Sequence, residues 1–276
     1  MNKVGYLIGL LFLLSCQEEV ILDLRNQERV PIIEASWTDN PSLNRVKITY
    51  PRDYYDTLEN EIINDAEVWV SNLTSGEEIP FSFSEDFRRY LPRRYFAGRR
   101  GDSYQLTVKL GDRIFQSEGT LLHPPSLDSI TYQFREERLF SDEGYYLTVF
   151  GKIPFIEDNY YRVRITRNDT LLSGRQDYLL FDDTFGTSIL DNGFELNGFT
   201  FRAGDRVKLE LFRLNRSAFD FLNDLVNLLF NDGGLFSPPP QNPRSNIRVV
   251  QGPGRVEGYF KVASVLSETV IIAGDQ

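Results

Sequence analysis

The chain has 276 residues, with 40 acidic side chains against 30 basic ones and a net charge of −10, which disfavours nucleic acid or an anionic membrane surface as its main partner. A single His and a single Cys rule out the usual zinc, haem and iron–sulfur ligand sets, and no Asp-x-Asp-x-Asp-Gly calcium loop is present. Hydrophobic content of 41% with 21 Phe and 14 Tyr supplies packed cores, argues against disorder and tilts the chain toward strands.

At the N-terminus, Lys3 precedes an eleven-residue apolar run, Val4 to Leu14, which ends in Ser15 and the lone Cys16. A basic start, a short apolar stretch and a small residue before a cysteine form a secretory signal with a lipoprotein processing site. Cleavage is expected after Ser15, with Cys16 carrying covalent lipid. Spanning a bilayer takes about 20 apolar residues, so the run is read as a signal rather than a permanent anchor. Once Cys16 is lipidated no disulfide is available, and the fold depends on its core. Residues 16–29 are expected to form a tether, in which Gln17, Glu18 and Glu19 follow the lipid site directly.

From Val30 to Leu122, short alternating runs separated by turn signals predict an immunoglobulin-like β-sandwich. Strands are expected at 31–36, 45–50, 66–71, 103–110 and 113–119. Ala66, Val68 and Val70 fall on one face and Glu67, Trp69 and Ser71 on the other. Gly111-Asp112 reads as a hairpin turn and Thr74-Ser75-Gly76 as another. His123-Pro124-Pro125 interrupts regular structure and sets the expected boundary between two domains.

The remainder, 127–276, predicts a second β-rich domain with one inserted helix. Strands are expected from Leu127, at 145–150, 159–167, 178–181 and 206–212, and again at 246–250 and 258–265. In 159–167, Tyr161, Val163 and Ile165 alternate with Arg162, Arg164 and Thr166. The helix is expected at 217–230, with Ser217 and Asp220 as a capping box and Asp232-Gly233-Gly234 as its stop. Its apolar face, Ala218, Phe221, Leu222, Leu225, Leu228 and Leu229, is expected on the protein's own sheet, docking onto a membrane partner being the other reading. Residues 237–243, rich in Pro, are expected to form an exposed stiff loop, and Gly252-Pro253-Gly254 a turn.

Several of these segments occur together in a known order. The Ser15-Cys16 site, Asp128-Ser129-Ile130, Asn159-Tyr160-Tyr161-Arg162, the helix with Phe219 to Leu222, and Asn246-Ile247 followed by Gly258-Tyr259-Phe260 resemble the Bacteroidota lipoprotein family designated domain of unknown function number 4249. The resemblance covers nearly all of the mature chain. It implies a two-part β-rich lipoprotein of the outer membrane, encoded beside a TonB-dependent receptor. In the Bacteroidota, acidic residues just after the lipidated cysteine resemble an export signal to the outer face of the outer membrane, an ordinary solvated tether being the other reading of Glu18 and Glu19. The resemblance carries no catalytic residues. It assigns Asn159 and Asn246 to turns or strand caps, Gly258 to a close backbone approach, and Tyr160 and Phe260 to core or half-buried aromatics.

Six arginines, Arg88, Arg89, Arg93, Arg94, Arg99 and Arg100, fall within thirteen residues among Phe87, Tyr90, Tyr95 and Phe96. Guanidinium forks beside aromatic rings suit an anion or a partner surface. The alternative is a long solvated hairpin whose arginines pair with Glu85, Asp86 and Asp102. Glycan hydrolysis would need two close carboxylates, for which Asp182, Asp183, Asp191 and Glu195 are candidates that sequence cannot pair. A Ser-His-Asp triad would require His123, and no Gly-x-Ser-x-Gly elbow is present. Trp37 and Trp69 sit in expected strands, as core or half-buried residues. The expectation is a non-enzymatic lipoprotein without cofactor or metal, an accessory subunit of a TonB-dependent receptor in ligand capture or uptake. A surface adhesin or glycan-binding structural lipoprotein is the alternative.

Overall fold

Alternation of buried and exposed side chains at period two fixes most elements of the computed structural model, which describes residues 29–52, 58–139, 142–231, 233 and 239–274. In chain order the first half holds β1 (Ile32–Thr38), β2 (Arg45–Tyr50), β3 (Glu61–Ile62), β4 (Glu67–Asn72), β5 (Glu78–Ser84), β6 (Arg89–Pro92), β7 (Ser103–Leu110) and β8 (Arg113–Thr120). The second half holds β9 (Ser126–Arg135), β10 (Gly144–Lys152), β11 (Tyr160–Arg167), β12 (Thr170–Leu171), β13 (Leu179–Asp182), β14 (Phe194–Glu195) and β15 (Arg206–Leu214). Helix α1 (Arg216–Phe230), β16 (Arg248–Gln251) and β17 (Glu257–Ile271) follow. Among the described residues the fold is mainly β with one α-helix, as expected. Cys16 and its neighbours Ser15, Gln17, Glu18 and Glu19 lie outside the described residues, as do Asp232 and Gly234 of the expected helix stop.

One long sheet runs β12-β11-β15-β17-β1-β2-β6-β5-β4-β7-β8-β16, with β13 on β11 and β3 on β2; a second, smaller sheet is β14-β10-β9. The N-terminal part of the long sheet folds over itself into a sandwich around Trp37, Tyr104, Leu106, Phe115 and Phe260, all fully buried. Gly119 on β8 shows how near the two layers come, since a Cβ there would sit 2.8 Å from Val262 on β17. The hairpin turn at Gly111-Asp112 is present, with Leu110 paired to Arg113 and Gly111 at φ +59°. Strands β5 and β6 have no counterpart in the sequence reading, because Pro80 and the run of arginines mask their alternation.

The small sheet packs on β11, β15 and the far half of β17 around a second core that includes Leu147, Val163, Leu211 and Phe201. Strand β17 joins the two halves. Its residues 257–263 pair in parallel with β1, and its residues 263–271 pair antiparallel with β15. Even-numbered side chains of β17 face inward, Phe260 and Val262 into the first core and Leu266 and Val270 into the second, while Glu268 is exposed. Residues 127–276 are therefore not a self-contained unit: β16 returns to pair with β8, and the start of β17 with β1. The His123-Pro124-Pro125 linker is likewise fastened across the boundary. Arg213 on β15 donates to the carbonyls of His123 at 2.8 Å, Glu157 at 2.9 Å and Asp158 at 3.0 Å, and its guanidinium lies 3.6 Å from the centre of the Phe155 ring.

Along residues 258–262, where β17 pairs with β1 on one edge and has not yet reached β15 on the other, side chains replace the missing strand. Asn246 accepts from the Phe260 amide at 2.8 Å and donates to its carbonyl at 3.0 Å; Asn215 accepts from the Val262 amide at 2.9 Å; Ser245 donates to the Gly258 carbonyl at 2.8 Å. A strand edge left bare here would bury unsatisfied amides. Gly258, at φ +107°, crosses β1 so closely that a Cβ would lie 2.0 Å from the Ile33 carbonyl oxygen. Phe260 is fully buried, Tyr160 half-buried and Asn159 buried. Asn159 donates to the Phe155 carbonyl at 3.1 Å and accepts from the Tyr161 hydroxyl at 3.0 Å.

Helix α1 begins one residue before the expected start. Asn215 occupies the N-cap position but commits its side chain to Val262 and Ser217, so the expected Ser217–Asp220 capping box does not form. The helix lays Ala218, Phe219, Phe221 and Leu222 on the outer face of the long sheet, against Phe212, Leu214 and Ala263. Phe221 stacks on Tyr259 and Phe219 tilts against Tyr160. Leu229 and Phe230, near the end of the helix, stay partly exposed. No helix among the described residues is long and apolar enough to cross a membrane.

Candidate functional site

The six clustered arginines separate in the fold. Arg88 sits on the β5–β6 turn, where it meets Glu59 at 2.9 Å, and Arg94 lies 3.6 Å from Glu77. Arg93 donates to the Ser82 hydroxyl, and Arg100 pairs with Asp39 at 2.7 Å in the turn that leads to β7. Arg99 contributes its backbone amide to the Tyr104 hydroxyl. Among the described residues the acids that pair are Glu59, Glu77 and Asp39, all from outside the arginine-rich segment, rather than Glu85, Asp86 and Asp102. Only Arg89 turns toward a second group of cations: it stands on β6 beside Arg45 of β2, and the two repel.

That second group occupies the outer face of the long sheet, beside helix α1. Strand periodicity puts Arg162 and Arg164 of β11, Lys208, Glu210 and Phe212 of β15, Lys261 of β17, Glu34 and Ser36 of β1, and Arg45 of β2 on this one surface. Ser36 lies in register with Lys261 on one side and Arg45 on the other, so the three form a row across adjacent strands. Lys261 Nζ is 4.3 Å from the centre of the Phe212 ring, and the Arg164 guanidinium is 5.1 Å from the same ring. Arg162 lies 5.0 Å from the Tyr178 ring, on the segment that leads into β13.

Glu210 is buried and accepts from Arg164 at 2.7 Å and from Lys208 at 2.9 Å. Burial opposes its ionisation, but the Lys208 hydrogen bond and the Arg164 charge outweigh this and hold its carboxyl below the usual range. The balance is opposite for Lys261. Only 6% exposed, it makes no hydrogen bond or ion pair with the described residues. Burial and the charges of Arg162, Arg164 and Arg45 push its amine well below the ordinary lysine value, against the opposing pull of Glu210. Burial also lowers Arg162 and Arg45. Arg162 Nε and Ser36 Oγ are buried without a hydrogen-bond partner. The reading of β11 as Tyr161, Val163 and Ile165 inward and Arg162 and Arg164 outward is what the fold shows. The convergence of those arginines with Lys261 and Arg45 was not legible, because the residues come from strands far apart in sequence.

The carboxylates weighed for hydrolysis hold local structure. Glu195 forms a two-pronged pair with Arg135 at 2.6 and 2.7 Å. Asp182 caps a short turn through the Thr184 amide at 3.0 Å, Asp183 lies 3.4 Å from the Asn159 amide nitrogen, and Asp191 is exposed. His123 is exposed in the linker that Arg213 fastens by its carbonyl. Trp37 is fully buried, and Trp69 is half-buried on the outer face of β4, opposite Pro80. Among the described residues no three of His, Cys, Asp and Glu stand together as a metal site.

The architecture defines a mainly β protein whose two sandwich-like parts share one strand, with a cationic surface beside helix α1. The family model described as Domain of unknown function (DUF4249) matches residues 17–269, and the chain belongs to that family. No curated protein matches the chain.

Proposed function

We propose that the protein is a lipid-anchored, surface-exposed outer-membrane lipoprotein and the accessory subunit of a TonB-dependent receptor, acting in ligand capture or uptake without catalysis of its own. One observation carries the reading: the family match begins at residue 17, directly behind Cys16 and the apolar run that precedes it. A family match that starts where the processed chain would start fits a mature protein whose first residue is the lipidated cysteine. Several acyl chains on one residue give stable anchoring, at about 0.8 kcal/mol per buried methylene. The first strand of the described residues begins at Ile32.

The test has two parts. Cys16→Ser is expected to abolish palmitate labelling and move the protein from the membrane fraction to the soluble one. Gentle detergent pull-down of the tagged, lipidated protein from its own outer membrane, followed by mass spectrometry, is expected to recover a TonB-dependent receptor in near-stoichiometric amount. Recovery of the lipidated protein alone overturns the receptor role and leaves the anchoring intact.

A second reading, glycan binding, is supported by a groove of about 610 Å³ on the outer face of β4 and β5, lined by Trp69, Pro80 and Phe83 with Glu67, Ser82 and Arg93. An aromatic side chain flanked by polar groups suits a sugar ring. Trp69→Ala is expected to abolish retention on an outer-membrane polysaccharide column if that groove binds glycan, and to leave it unchanged otherwise.

A further inference from the structure

We propose that the outer-face cluster of Arg45, Arg162, Arg164 and Lys261, with the Ser36 hydroxyl, is a binding site for a doubly charged oxyanion of the phosphate class. The inference does not depend on anchoring or on a receptor. Three observations support it. The first is charge balance: Arg45, Lys47, Arg162, Arg164 and Lys208 are five cations on one surface with two carboxylates, Glu34 and Glu210, leaving an excess of three positive charges before Lys261 is counted, in a chain whose overall charge is −10. A single carboxylate ligand would leave most of that excess, whereas a dianion removes the larger part.

The second is a set of donors with nothing to donate to. Lys261 is 6% and Ser36 8% exposed; the ammonium has no hydrogen bond or ion pair among the described residues, and Ser36 Oγ and Arg162 Nε have no hydrogen-bond partner. A buried ammonium is costly unless it is paired or gives up its proton. The row Arg45–Ser36–Lys261 places a fork, a hydroxyl and an ammonium side by side, a donor set that matches phosphate oxygens. The third is access. The rim of the cluster reaches solvent: the Lys208 side chain is 43% exposed and Lys47, on the same face of β2, is exposed. An anion reaches the buried donors past a cationic rim that attracts it.

Inorganic phosphate, a sugar phosphomonoester and sodium chloride at matched ionic strength are titrated into the mature chain, with calorimetry and thermal melting as readouts. Phosphate is expected to bind and to raise the melting temperature beyond the chloride effect. Lys261→Met and Arg162→Gln each weaken binding by about tenfold or more. Arg94→Gln, an exposed arginine away from the cluster, leaves binding unchanged. Circular dichroism confirms that each variant is folded. Binding of inorganic phosphate together with the phosphomonoester identifies a site for the free ion or a small ester. Binding of the monoester alone identifies the phosphate as part of a larger molecule. The proposal is overturned if neither stabilises the protein beyond chloride, or if wild type, Lys261→Met and Arg94→Gln bind alike.

Discussion

Lys261 and Glu210 share one sheet surface and carry opposite consequences for stability. Burial and the guanidinium groups of Arg162 and Arg164 on β11 and Arg45 on β2 favour the neutral amine of Lys261 in the fold, while Glu210 on β15 pulls the other way. In the unfolded chain the amine titrates near about 10.4. Between the depressed folded value and that one, the unfolded chain binds more protons, so stability rises with pH and the penalty is greatest below the folded value. Urea melts in phosphate-free buffer are expected to show wild-type stability climbing toward about pH 10, and Lys261→Met removing that contribution to the slope. For Glu210 the sign reverses: its depressed value contributes stability above the ordinary carboxylate range, lost as pH falls through the folded value. Glu210→Gln strips a buried partner from Arg164, whose side chain is only 15% exposed, and is expected to cost about 3–5 kcal/mol in the same melts.

At the scale of elements, the side chains that stand in for a strand along β17 are the point of greatest leverage. Asn246 serves both the amide and the carbonyl of Phe260, so Asn246→Ala leaves two backbone groups without their partner beside a fully buried ring. A loss of about 2 kcal/mol or more is expected, with faster hydrogen exchange at the Phe260 amide as its local signature. Asn246→Asp keeps an acceptor for the Phe260 amide but sets a carboxylate oxygen against the Phe260 carbonyl, and is expected to be destabilised as well. The helix illustrates how local signals mislead. Ser217 and Asp220 have the spacing of a capping box, yet Asn215 takes the cap position and its side chain serves Val262, a partner 47 positions away. The turns were legible because they are local, as at Gly111-Asp112. Strands β5 and β6 were not, because Pro80 and the arginines obscure the apolar alternation that their pairing makes plain.

For the whole molecule, a strand shared by two cores predicts one cooperative unit. Without β17 the first core loses Phe260 and Val262 and the second loses Leu266 and Val270. The full chain is expected to unfold in a single transition with coincident near- and far-ultraviolet signals, and residues 29–122 expressed alone are expected to give no dispersed amide spectrum; two separated transitions, or a folded fragment, would show the halves to be independent. Composition, hydrophobic periodicity and turn residues were enough to determine a mainly β chain with one helix, its inward residues such as Val68, Val70, Val163 and Ile165, and its hairpin turn, because these depend on neighbours within a few residues. Two features were settled only by tertiary structure: β17 crosses from one sandwich-like part to the other, and Arg45, Arg162, Arg164 and Lys261 meet on one face. Pairing between distant strands is set by which faces must be buried together, and no local pattern in the chain encodes which strand lies beside which.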